Sequence, residues 1–450
     1  MAVKDGRWET EVKGSGRALA DDDQPPSLAR RVVETPVVSS QTGGLGFPRP
    51  RKRLLVVAKA IPYPPGDGAA MRTWAVLRAL AADGHSIDLL SFGGLADLEN
   101  AGDALRQVCA SVEVIAHAAP NLSNAAGHLR LLGSLGSALP YSVARFRSET
   151  MRTRVEQWLE TSKVDAVLCD NPFLFINLPP AVPVPIILNS HNIESLLLRR
   201  LLNFEQNPAK WAYASLELRK LSRWERRMAS RASLILACSE HDRAIMATMC
   251  PDTPVAVVPN IIDVENYAPS PDDDGKTILY VGAMDWYPNK DAASWFVSDI
   301  WPEVRRLLPG VRFLIAGRGP SGKLRRRLES VAGVEFTGAV PDMRVEIERA
   351  PVCVVPLRIA SGTRLKILEA AALAKAIVST RVGAEGLDFV DEKEIILADD
   401  PRRFAQAVAD VVANPGRRRA LGLAARRRVE SQYSFRELRT AIHNALARLG

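Results

Sequence analysis

The chain alternates between short apolar runs and longer stretches in which apolar residues recur every three or four positions. The runs LLVVA from Leu54, SIDLLSF from Ser86 and DAVLCD from Asp165 are typical of buried strands. Between the first two runs, MRTWAVLRALAADG has helical spacing and ends at Gly84. The alternation continues to VAVVP at 255–259. Strands that alternate with helices predict a parallel sheet covered on both faces.

A polar break separates this series of strands from a second one. The segment from Tyr267 to Lys276 is acidic and contains prolines, and it is followed by TILYVGA, VRFLIAG, VEFTG, VCVVPL and AIVST with helices between them. The pattern predicts two doubly wound α/β domains, over residues 51–263 and 264–434, joined near 259–276. A last helical stretch at 435–450 either extends the second domain or returns to the first.

The N-terminal segment has a different composition. Residues 1 to about 50 mix Gly, Ser, Pro, Gln and charges without apolar periodicity, which predicts a flexible tail. Lys4 and Arg7 stand where a signal peptide needs an apolar core, and no run approaches the roughly 18 apolar residues of a membrane span. We therefore expect a cytoplasmic protein that either stays soluble or touches a membrane only from the surface, at the inner face of the plasma membrane.

The net charge and the cysteine content limit the kinds of partner and metal site that we expect. The 59 basic and 51 acidic residues give a net charge of +8, with arginines in short clusters, which favours an anionic partner. The basic residues lack interleaved aromatic platforms and a nucleic-acid reading motif, so nucleic acid is not expected. The five cysteines form no CxxC pair and have no histidine at metal-ligand spacing, which predicts a reduced protein without structural zinc.

The loop and helix after VCVVPL form the strongest candidate site. Ligands of open parallel sheets bind beyond the carboxyl ends of the strands, where helices begin. Here Gly362 allows a close backbone approach, a helix is expected from about Thr363, and Ser361 or Thr363 is a candidate cap. Lys366 and Glu369 are three residues apart and share one helix face.

Two cations in the first turn of this helix are unusual. Arg364 and Lys366 oppose the positive end of the helix dipole, which makes sense if an anion such as a diphosphate binds there. The alternative is an ordinary solvated helix face.

Three other loops carry candidate residues, each with an ordinary alternative. Lys290 precedes an apparent helix with Asp291 as its cap, and it is either a phosphate ligand or a surface lysine. Gly66 and Gly68 precede the first helix and bind a ligand or only form a turn. His191, just past a strand, lies in a cleft or is structural.

A long basic helix is predicted over residues 209–231. It carries seven basic residues and two glutamates, and an apolar stripe is formed by Trp211, Leu218, Leu221, Trp224 and Met228. Two interpretations are open: the helix lies on anionic lipid, or it packs on the first sheet with a solvated basic face.

Taken in order, the motifs resemble the retaining GT-B glycosyltransferases of family 4, in the bacterial cell-surface and exopolysaccharide branch. From Arg53 to Leu449 the resemblance rests on IPYPPGDGAAMRTWAVLRALAADGHSIDLLSF, NSHNIES, LACSEHDR, VPNIIDVENY, YVGAMDWYPNKDA, FLIAGRGP, VEFTGAV and PLRIASGTRLKILEAAALAKAIVSTRVGAEG. It implies two Rossmann-like domains that face a cleft, with the acceptor bound mainly by the first and the nucleotide sugar by the second.

The resemblance also implies residue roles. Glu369 holds the ribose hydroxyls, Lys290 binds phosphate, His191 reaches the cleft and the loop from Pro65 to Ala70 lies near the donor phosphates. The backbone from Gly338 to Val340 meets the base. The expected catalytic residues are His191, Lys290 and Lys366, and the expected donor-binding residues are Gly66, Gly68, Gly282, Lys290, Arg318, Gly338, Val340, Ser361, Gly362, Thr363, Arg364, Lys366 and Glu369.

The sequence departs from the family pattern at two positions. The first acid of the family motif lies eight positions before the second, and this position is Ser361 here. The arginine often found after the glycine of the VG loop is Ala283, so its charge would come from Arg364, Lys366 or Arg318.

We therefore expect a glycosyltransferase that moves a sugar from a UDP- or GDP-linked donor to a glycan or lipid-linked acceptor. Retention is implied by the resemblance. No metal or other cofactor is expected, because there is no Asp-x-Asp motif at a strand end and cations with helix N–H groups would stabilise the leaving group. Two alternatives stay open: a sugar-nucleotide epimerase of the same fold, and a catalytically silent partner that binds a nucleotide sugar or glycan.

Overall fold

The computed structural model describes residues 2–4, 7–9, 32–34, 51–117, 125–269 and 273–449. Its strands are β1 Ala2–Lys4, β2 Arg7–Glu9, β3 Val32–Glu34, β4 Arg53–Ala58, β5 Ser86–Phe92, β6 Ser111–Ile115, β7 Ala166–Cys169, β8 Ile186–Asn189, β9 Leu234–Ala237, β10 Val255–Val257, β11 Thr277–Val281, β12 Arg312–Ala316, β13 Val334–Gly338, β14 Val352–Val355, β15 Ala376–Ser379 and β16 Ile396–Leu397.

The helices lie mostly between these strands. They are α1 Gly68–Ala82, α2 Leu95–Val108, α3 Ala125–Leu135, α4 Tyr141–Ala144, α5 Glu149–Thr161, α6 Glu194–Leu202, α7 Pro208–Arg231, α8 Glu240–Met249, α9 Tyr287–Trp295, α10 Trp301–Leu307, α11 Gly322–Glu329, α12 Met343–Arg349, α13 Leu365–Ala372, α14 Arg381–Ala384, α15 Pro401–Ala413, α16 Pro415–Gln432 and α17 Phe435–Leu446. A π-helical turn, Phe296–Ile300, joins α9 to α10.

The first sheet has the strand order β10-β9-β8-β7-β4-β5-β6-β3. All neighbours are parallel except β3, which runs antiparallel to β6. β4 lies inside the sheet, and both of its faces are covered. Leu54 and Val56 pack with α1 and α17, whereas Leu55 and Val57 face the side of α5 and α7. This double burial explains why the strand is apolar at consecutive positions.

The second sheet has the order β13-β12-β11-β14-β15-β16 and is parallel throughout. In both sheets the chain first proceeds to one side of a starting strand and then continues on its other side. The direction changes between β4 and β7 in the first sheet and between β11 and β14 in the second. The prediction of two doubly wound, Rossmann-like domains is confirmed.

The last helix returns to the first domain. Leu438, Ile442 and Leu446 of α17 lie in the same apolar core as α1, and Arg439 Nε donates to the buried carboxylate of Asp83. The preceding helix α16 stays with the second domain, where Val429 joins its core. The chain therefore crosses between the domains twice.

The predicted N-terminal tail lies mostly outside the described residues. Of residues 1–50, the structure describes β1 and β2, which pair antiparallel with each other, and β3 at the edge of the first sheet.

Candidate active site

The two points at which the strand order changes direction face the same cleft. The loops that follow β4 and β7 of the first domain, and β11 and β14 of the second, lie at the carboxyl ends of their strands. Such points are where open α/β sheets bind ligands. Most of the candidate residues from the sequence lie on these loops or on the helices that they lead into.

The helix after β14 begins later than predicted. α13 starts at Leu365, and its N-cap is Arg364, without a side-chain cap hydrogen bond. The prediction that Ser361 or Thr363 caps this helix was therefore wrong. Both hydroxyls lie too early in the loop, and both make hydrogen bonds to the first domain instead.

Residues 360–363, which we call the clasp, join the second domain to the first. The backbone N–H of Ile193 donates to Ser361 Oγ over 2.9 Å, and Asn260 Nδ2 donates to Thr363 Oγ1 over 2.7 Å. Gly362 has a φ of +75° and sits so close that a β-carbon there would lie 2.4 Å from the carbonyl oxygen of His191. Only glycine satisfies both constraints.

An ion pair reinforces the clasp. Arg200 of α6 donates to the carbonyl of Ala360 over 2.7 Å and to both carboxylate oxygens of Glu385 over 2.6 and 2.7 Å. Bidentate pairs of this kind fix geometry as well as charge.

Arg364 faces the inside of the loop. Its guanidinium is buried, and it donates to the carbonyl oxygens of Ser361, Gly362 and Glu385. Burial lowers its pKa, against the raising effect of Glu385. Of the two cations expected in the first turn, Arg364 therefore bonds to the backbone of the loop, whereas the ammonium group of Lys366 contacts the neutral side chains of Tyr280 and Asn289.

Lys366 is held among neutral groups. Its Nζ lies 3.1 Å from Asn289 Oδ1 and 4.5 Å from the centre of the Tyr280 ring. Burial lowers the pKa of Lys366 to about 7, and the nearby charge of Arg364 acts in the same direction. An anion bound here would restore the full charge of the ammonium group.

Glu369 follows one turn later on the same side of α13. The Tyr267 hydroxyl donates to its Oε1 over 3.4 Å. Burial raises the pKa of Glu369 to about 7, whereas Tyr267 and Lys366 act to lower it. A carboxylate at this position can accept hydrogen bonds from vicinal hydroxyls of a ligand.

The loop after β11 is folded tightly against the start of α9. Asn289 Nδ2 donates to the carbonyl of Ala283, and a β-carbon on Gly282 would lie 2.8 Å from the Asn289 amide. Asn289 therefore links Gly282 to Lys366.

The predicted start of this helix was also wrong. α9 begins at Tyr287, so Lys290 lies inside the helix, and Asp291 pairs with Arg358 over 2.6 Å instead of capping. Pro288 explains the earlier start, because its fixed φ suits the first helical turn. Lys290 is half-buried, and burial lowers its pKa.

The loop of the first domain that contains Gly66 and Gly68 lies against Arg318 and the start of α13. Arg318 Nη1 donates to the carbonyl of Gly66 over 3.1 Å. A β-carbon on Gly68, the first residue of α1, would lie 3.2 Å from Leu365, the first residue of α13. The N-termini of α1 and α13, with their positive dipole ends, therefore meet across the cleft, and Asp67 caps α1 by accepting from the N–H of Ala70.

Gly338 lies beside this arrangement, and Val340 follows it by two residues. The N–H of Gly317 donates to the carbonyl of Gly338 over 3.2 Å, so the turn that carries Arg318 touches the end of β13. Gly338 has a φ of +74°, and a β-carbon there would meet nothing within 4 Å. The space beside the Gly338 α-carbon is therefore open.

His191 belongs to a buried polar network at the carboxyl ends of β7 and β8. Its Nε2 lies 3.0 Å from Asp170 Oδ1, an oxygen that also accepts from Asn189 Nδ2 over 2.8 Å. His191 Nε2 also lies 3.3 Å from Asn189 Nδ2. Nδ1 is buried and has no hydrogen-bond partner among the described residues.

Arg72 of α1 completes the network. Its Nε donates to Asn189 Oδ1 over 3.0 Å, and its Nη1 donates to Asn260 Oδ1 over 2.9 Å. Burial lowers the pKa of Arg72. Since Asn260 also contacts Thr363, one hydrogen-bonded chain connects the His191 loop, α1 and the clasp.

The sequence interpretation missed several of these residues. Asp170, Asn189 and Tyr267 were not identified as candidates, and Asn260 was not either. Asp170 stands directly after the run AVLC of β7, and this position was the available signal. Tyr267 lies in the polar segment that was interpreted only as a domain boundary.

Two family models match the chain on either side of this cleft. The model described as Glycosyltransferase Family 4 matches residues 66–266, and the model described as Glycosyl transferases group 1 matches residues 275–414. The chain is a GT-B glycosyltransferase of the family 4 type.

Relatives of this glycosyltransferase are distant. It is 21% identical over 408 residues to an uncharacterised 44.6 kDa protein in the cps region of Klebsiella pneumoniae. This alignment covers 87% of this chain and 98% of the relative. It is 26% identical over 225 residues to the GDP-mannose-dependent alpha-(1-6)-phosphatidylinositol monomannoside mannosyltransferase of Mycolicibacterium smegmatis, over 45% of this chain and 58% of the relative.

A solved structure shares the fold. HepE of Anabaena, in complex with UDP-glucose, superimposes with a TM-score of 0.61 at 13% identity, over 88% of this chain and 100% of the other. At this identity the likeness supports the GT-B fold of the glycosyltransferase and not its substrate.

The predicted basic helix of this glycosyltransferase is α7. Leu221 and Met228 are buried against the first domain, whereas Trp211 is 50% exposed, so the predicted apolar stripe holds only in part. Glu225 accepts from the N–H groups of Glu194 and Ser195 at the start of α6, and burial raises its pKa to about 7. In the described part of the chain, no helix is both long and apolar enough to cross a membrane.

Proposed function

We propose that this glycosyltransferase binds the diphosphate of a nucleotide sugar at the start of α13 and transfers the sugar to a glycan or lipid-linked acceptor. The observation that carries the proposal is Lys366. Its ammonium group is half-buried beside Asn289 and Tyr280, it follows Leu365, which meets the start of α1, and its pKa is lowered to about 7. A bound diphosphate would supply the negative charge that this position lacks.

Glu369 is the ribose-binding residue in this proposal. It is one turn beyond Lys366 on the same helix face, and the backbone at Gly338 and Val340 is the neighbouring site for the base. A uridine or guanosine nucleotide is the expected donor, because HepE was solved with UDP-glucose and the mycobacterial relative is GDP-mannose-dependent.

Departure of the nucleotide is assisted by protein cations in this proposal. Lys366, Lys290 and Arg318 would stabilise the charge that develops on the diphosphate, together with the N–H groups of α13. Transfer would then proceed with retention and without a metal. Full activity in the presence of EDTA supports this account, and restoration of activity only by Mg²⁺ or Mn²⁺ contradicts it.

The acceptor is proposed to belong to surface polysaccharide synthesis. One relative lies in a cps region, and another has a phosphatidylinositol monomannoside in its name. The first domain would bind this acceptor near His191, and we propose that the enzyme works in the cytoplasm at the inner face of the plasma membrane.

Thermal shift with UDP, GDP and ADP tests the donor site. At least one nucleotide should raise the melting temperature of the wild type. Glu369→Gln and Lys290→Ala should each weaken binding by about tenfold or more, because each removes a charged hydrogen-bonding group. The matched controls are Glu265→Gln and Lys276→Ala, which alter exposed residues. Unchanged nucleotide binding in both site variants contradicts the proposal.

A further inference from the structure

The first turn of α6 is capped by a residue of another helix. The N-cap position of α6 is Ile193, which makes no side-chain cap hydrogen bond. The carboxylate of Glu225, on α7, instead accepts from the N–H of Glu194 over 2.6 Å and from the N–H of Ser195 over 3.0 Å. These are two of the N–H groups that every helix start leaves without a partner inside the helix.

Glu225 is a costly cap. The residue is 5% exposed, and in the described ranges of the chain its carboxylate forms no ion pair. Burial raises the pKa of Glu225 to about 7, and the charge of Glu194 adds to this effect, whereas the hydrogen bonds from Ser195 and Glu194 oppose it. A buried carboxylate without a cation costs stability, and a serine or aspartate at position 193 would cap the helix without that cost.

Ile193 has two other contacts that explain why it does not provide the cap. Its side chain is 1% exposed in the apolar core of the first domain, and its N–H donates to Ser361 Oγ of the clasp over 2.9 Å. A β-carbon on Gly362 would lie 2.4 Å from the carbonyl oxygen of His191 and 2.5 Å from the side-chain amide of Asn192. Residues 191–193 are therefore the part of the first domain that lies against the clasp.

The other end of α6 also contacts the second domain. Arg200, about two turns after Ile193, donates to the carbonyl of Ala360 in the clasp and to the carboxylate of Glu385. Because a short helix moves as one unit, a shift of its first turn changes the contacts at both ends. The position of α6 therefore sets the contact between the domains.

The helix α7 gives Glu225 a fixed support. The neighbouring Trp224 donates through Nε1 to the carbonyl of Pro172, just beyond β7, over 2.9 Å. One turn later, Met228 is 2% exposed in the core beneath the first sheet. The carboxylate that caps α6 is thus anchored to the sheet of the first domain.

We propose that Glu225 is a positioning residue for sugar transfer: by capping α6, its carboxylate holds residues 191–193 and Arg200 where they meet the clasp. Without the cap, the first turn of α6 would loosen, the contact between Ile193 and Ser361 would weaken, and the start of α13 would be held less well against α1. The effect on the domain contact does not depend on the donor site. The effect on nucleotide binding and transfer rests on the proposed function.

Hydrogen–deuterium exchange of the full chain tests the proposal. Glu225→Gln keeps the size of the side chain but replaces one acceptor oxygen by an NH2 group, so one buried N–H of α6 loses its partner. Exchange should become about fivefold faster or more at residues 191–196 and also at residues 360–363, which Glu225 does not touch. Faster exchange at 191–196 alone would mean that Glu225 only stabilises α6, and would overturn the proposal.

The matched control is Asp400→Asn. Asp400 caps α15 in the same way, because its carboxylate accepts from the N–H groups of Arg402 and Arg403, each over 3.0 Å. This variant should speed exchange at the start of α15 and leave residues 360–363 unchanged. An equal acceleration at 360–363 would show a general loss of stability and would also overturn the proposal. Melting curves verify that the variants fold.

A double-mutant cycle tests whether Glu225 acts through the clasp. The probe is whichever of UDP, GDP and ADP stabilises the wild type most. Glu225→Gln and Ser361→Ala should each weaken its binding about fivefold, and the double variant should also weaken it about fivefold, not about 25-fold as for independent sites. Additive effects would contradict the role of Glu225.

Ser361→Ala alone keeps the proposal testable if Glu225→Gln does not fold. Coupling between two contacts is reciprocal, so this variant should also speed exchange at residues 191–196, and no change there would overturn the proposal. A wild type that binds none of the three nucleotides would contradict the proposed function, while exchange at the clasp would still decide the role of Glu225. Normal nucleotide binding with unchanged exchange at 360–363 in Glu225→Gln would overturn only the inference about Glu225.

Discussion

The partly buried side chain of Lys366 makes the stability of the folded protein depend on pH. Burial lowers its pKa to about 7, so the unfolded chain binds more protons than the folded one between about pH 7 and 10, and stability from this group rises with pH there. Below pH 7 the charged amine is buried, and Glu369, whose pKa is raised to about 7, is largely protonated and compensates little.

Lys366→Met should therefore stabilise the protein while it abolishes nucleotide binding. We expect a melting temperature about 2–4 °C higher at pH 6, for a gain of about 1 kcal/mol, and a smaller gain at pH 9. Melting curves from pH 6 to 9 measure this, with the exposed Lys163→Met as control. If the gain in stability over the wild type is smaller at pH 6 than at pH 9, the lowered pKa of Lys366 is contradicted.

Gly362 offers a second residue-scale prediction. Gly362→Ala should destabilise the protein more than Gly275→Ala, although both residues have positive φ, because only at Gly362 does a β-carbon meet atoms of the other domain. The control should cost about 1 kcal/mol and Gly362→Ala about 1–3 kcal/mol more in urea unfolding. Equal costs would mean that the clasp does not constrain the protein.

At this scale the predicted ligand contacts of Gly362, Lys366 and Glu369 stay predictions, whereas the predicted capping role of Ser361 was wrong. A serine before a helix usually indicates a cap. Its actual partner, the N–H of Ile193, lies 168 positions away, and local sequence contains no signal for such a contact.

Among the helices, α17 connects the end of the chain to the first domain. Ile442→Ala should lower the free energy of unfolding by about 2–5 kcal/mol, because Ile442 is 1% exposed in the core shared with α1. Leu423→Ala, at a leucine that is 40% exposed, should cost well below 1 kcal/mol. Urea denaturation compares the two, and similar costs would contradict the packing of α17.

The periodicity of α17 predicted a helix but left its domain open, since an amphipathic face shows only that a helix packs somewhere. Strands were easier to predict, because fully buried parallel strands are continuous apolar runs. The start of α9 was misplaced because Pro288 and the attraction of Asp291 to Arg358 outweighed a simple capping pattern.

For the whole molecule, the clasp and the Arg200–Glu385 pair hold the two domains together. Arg200→Ala removes the bidentate partner of Glu385, whose side chain is 17% exposed, and leaves His241 Nε2 at 3.4 Å from its carboxylate. This loss should cost about 1–3 kcal/mol and favour an open cleft. Small-angle scattering should then give a larger radius of gyration than wild type. Arg243→Ala, which removes an exposed pair with Glu240, is the control and should leave the radius unchanged.

The sequence predicted two domains and a cleft because strand and helix alternation repeats on both sides of a polar break. It did not predict how the domains touch, since Ser361, Thr363 and Arg200 are ordinary polar residues whose partners lie in the other domain. The order of the motifs indicated the family, whereas the contacts between the two domains became visible only in the structure.

The position of a bound nucleotide in a crystal structure tests the central claim most directly. Crystals grown with the nucleotide that stabilises the protein most should show its diphosphate at the N–H groups of the first turn of α13 and at Lys366. Its ribose should lie against Glu369. A nucleotide bound away from α13, with Lys366 Nζ still hydrogen-bonded to Tyr280 and Asn289, would contradict the account.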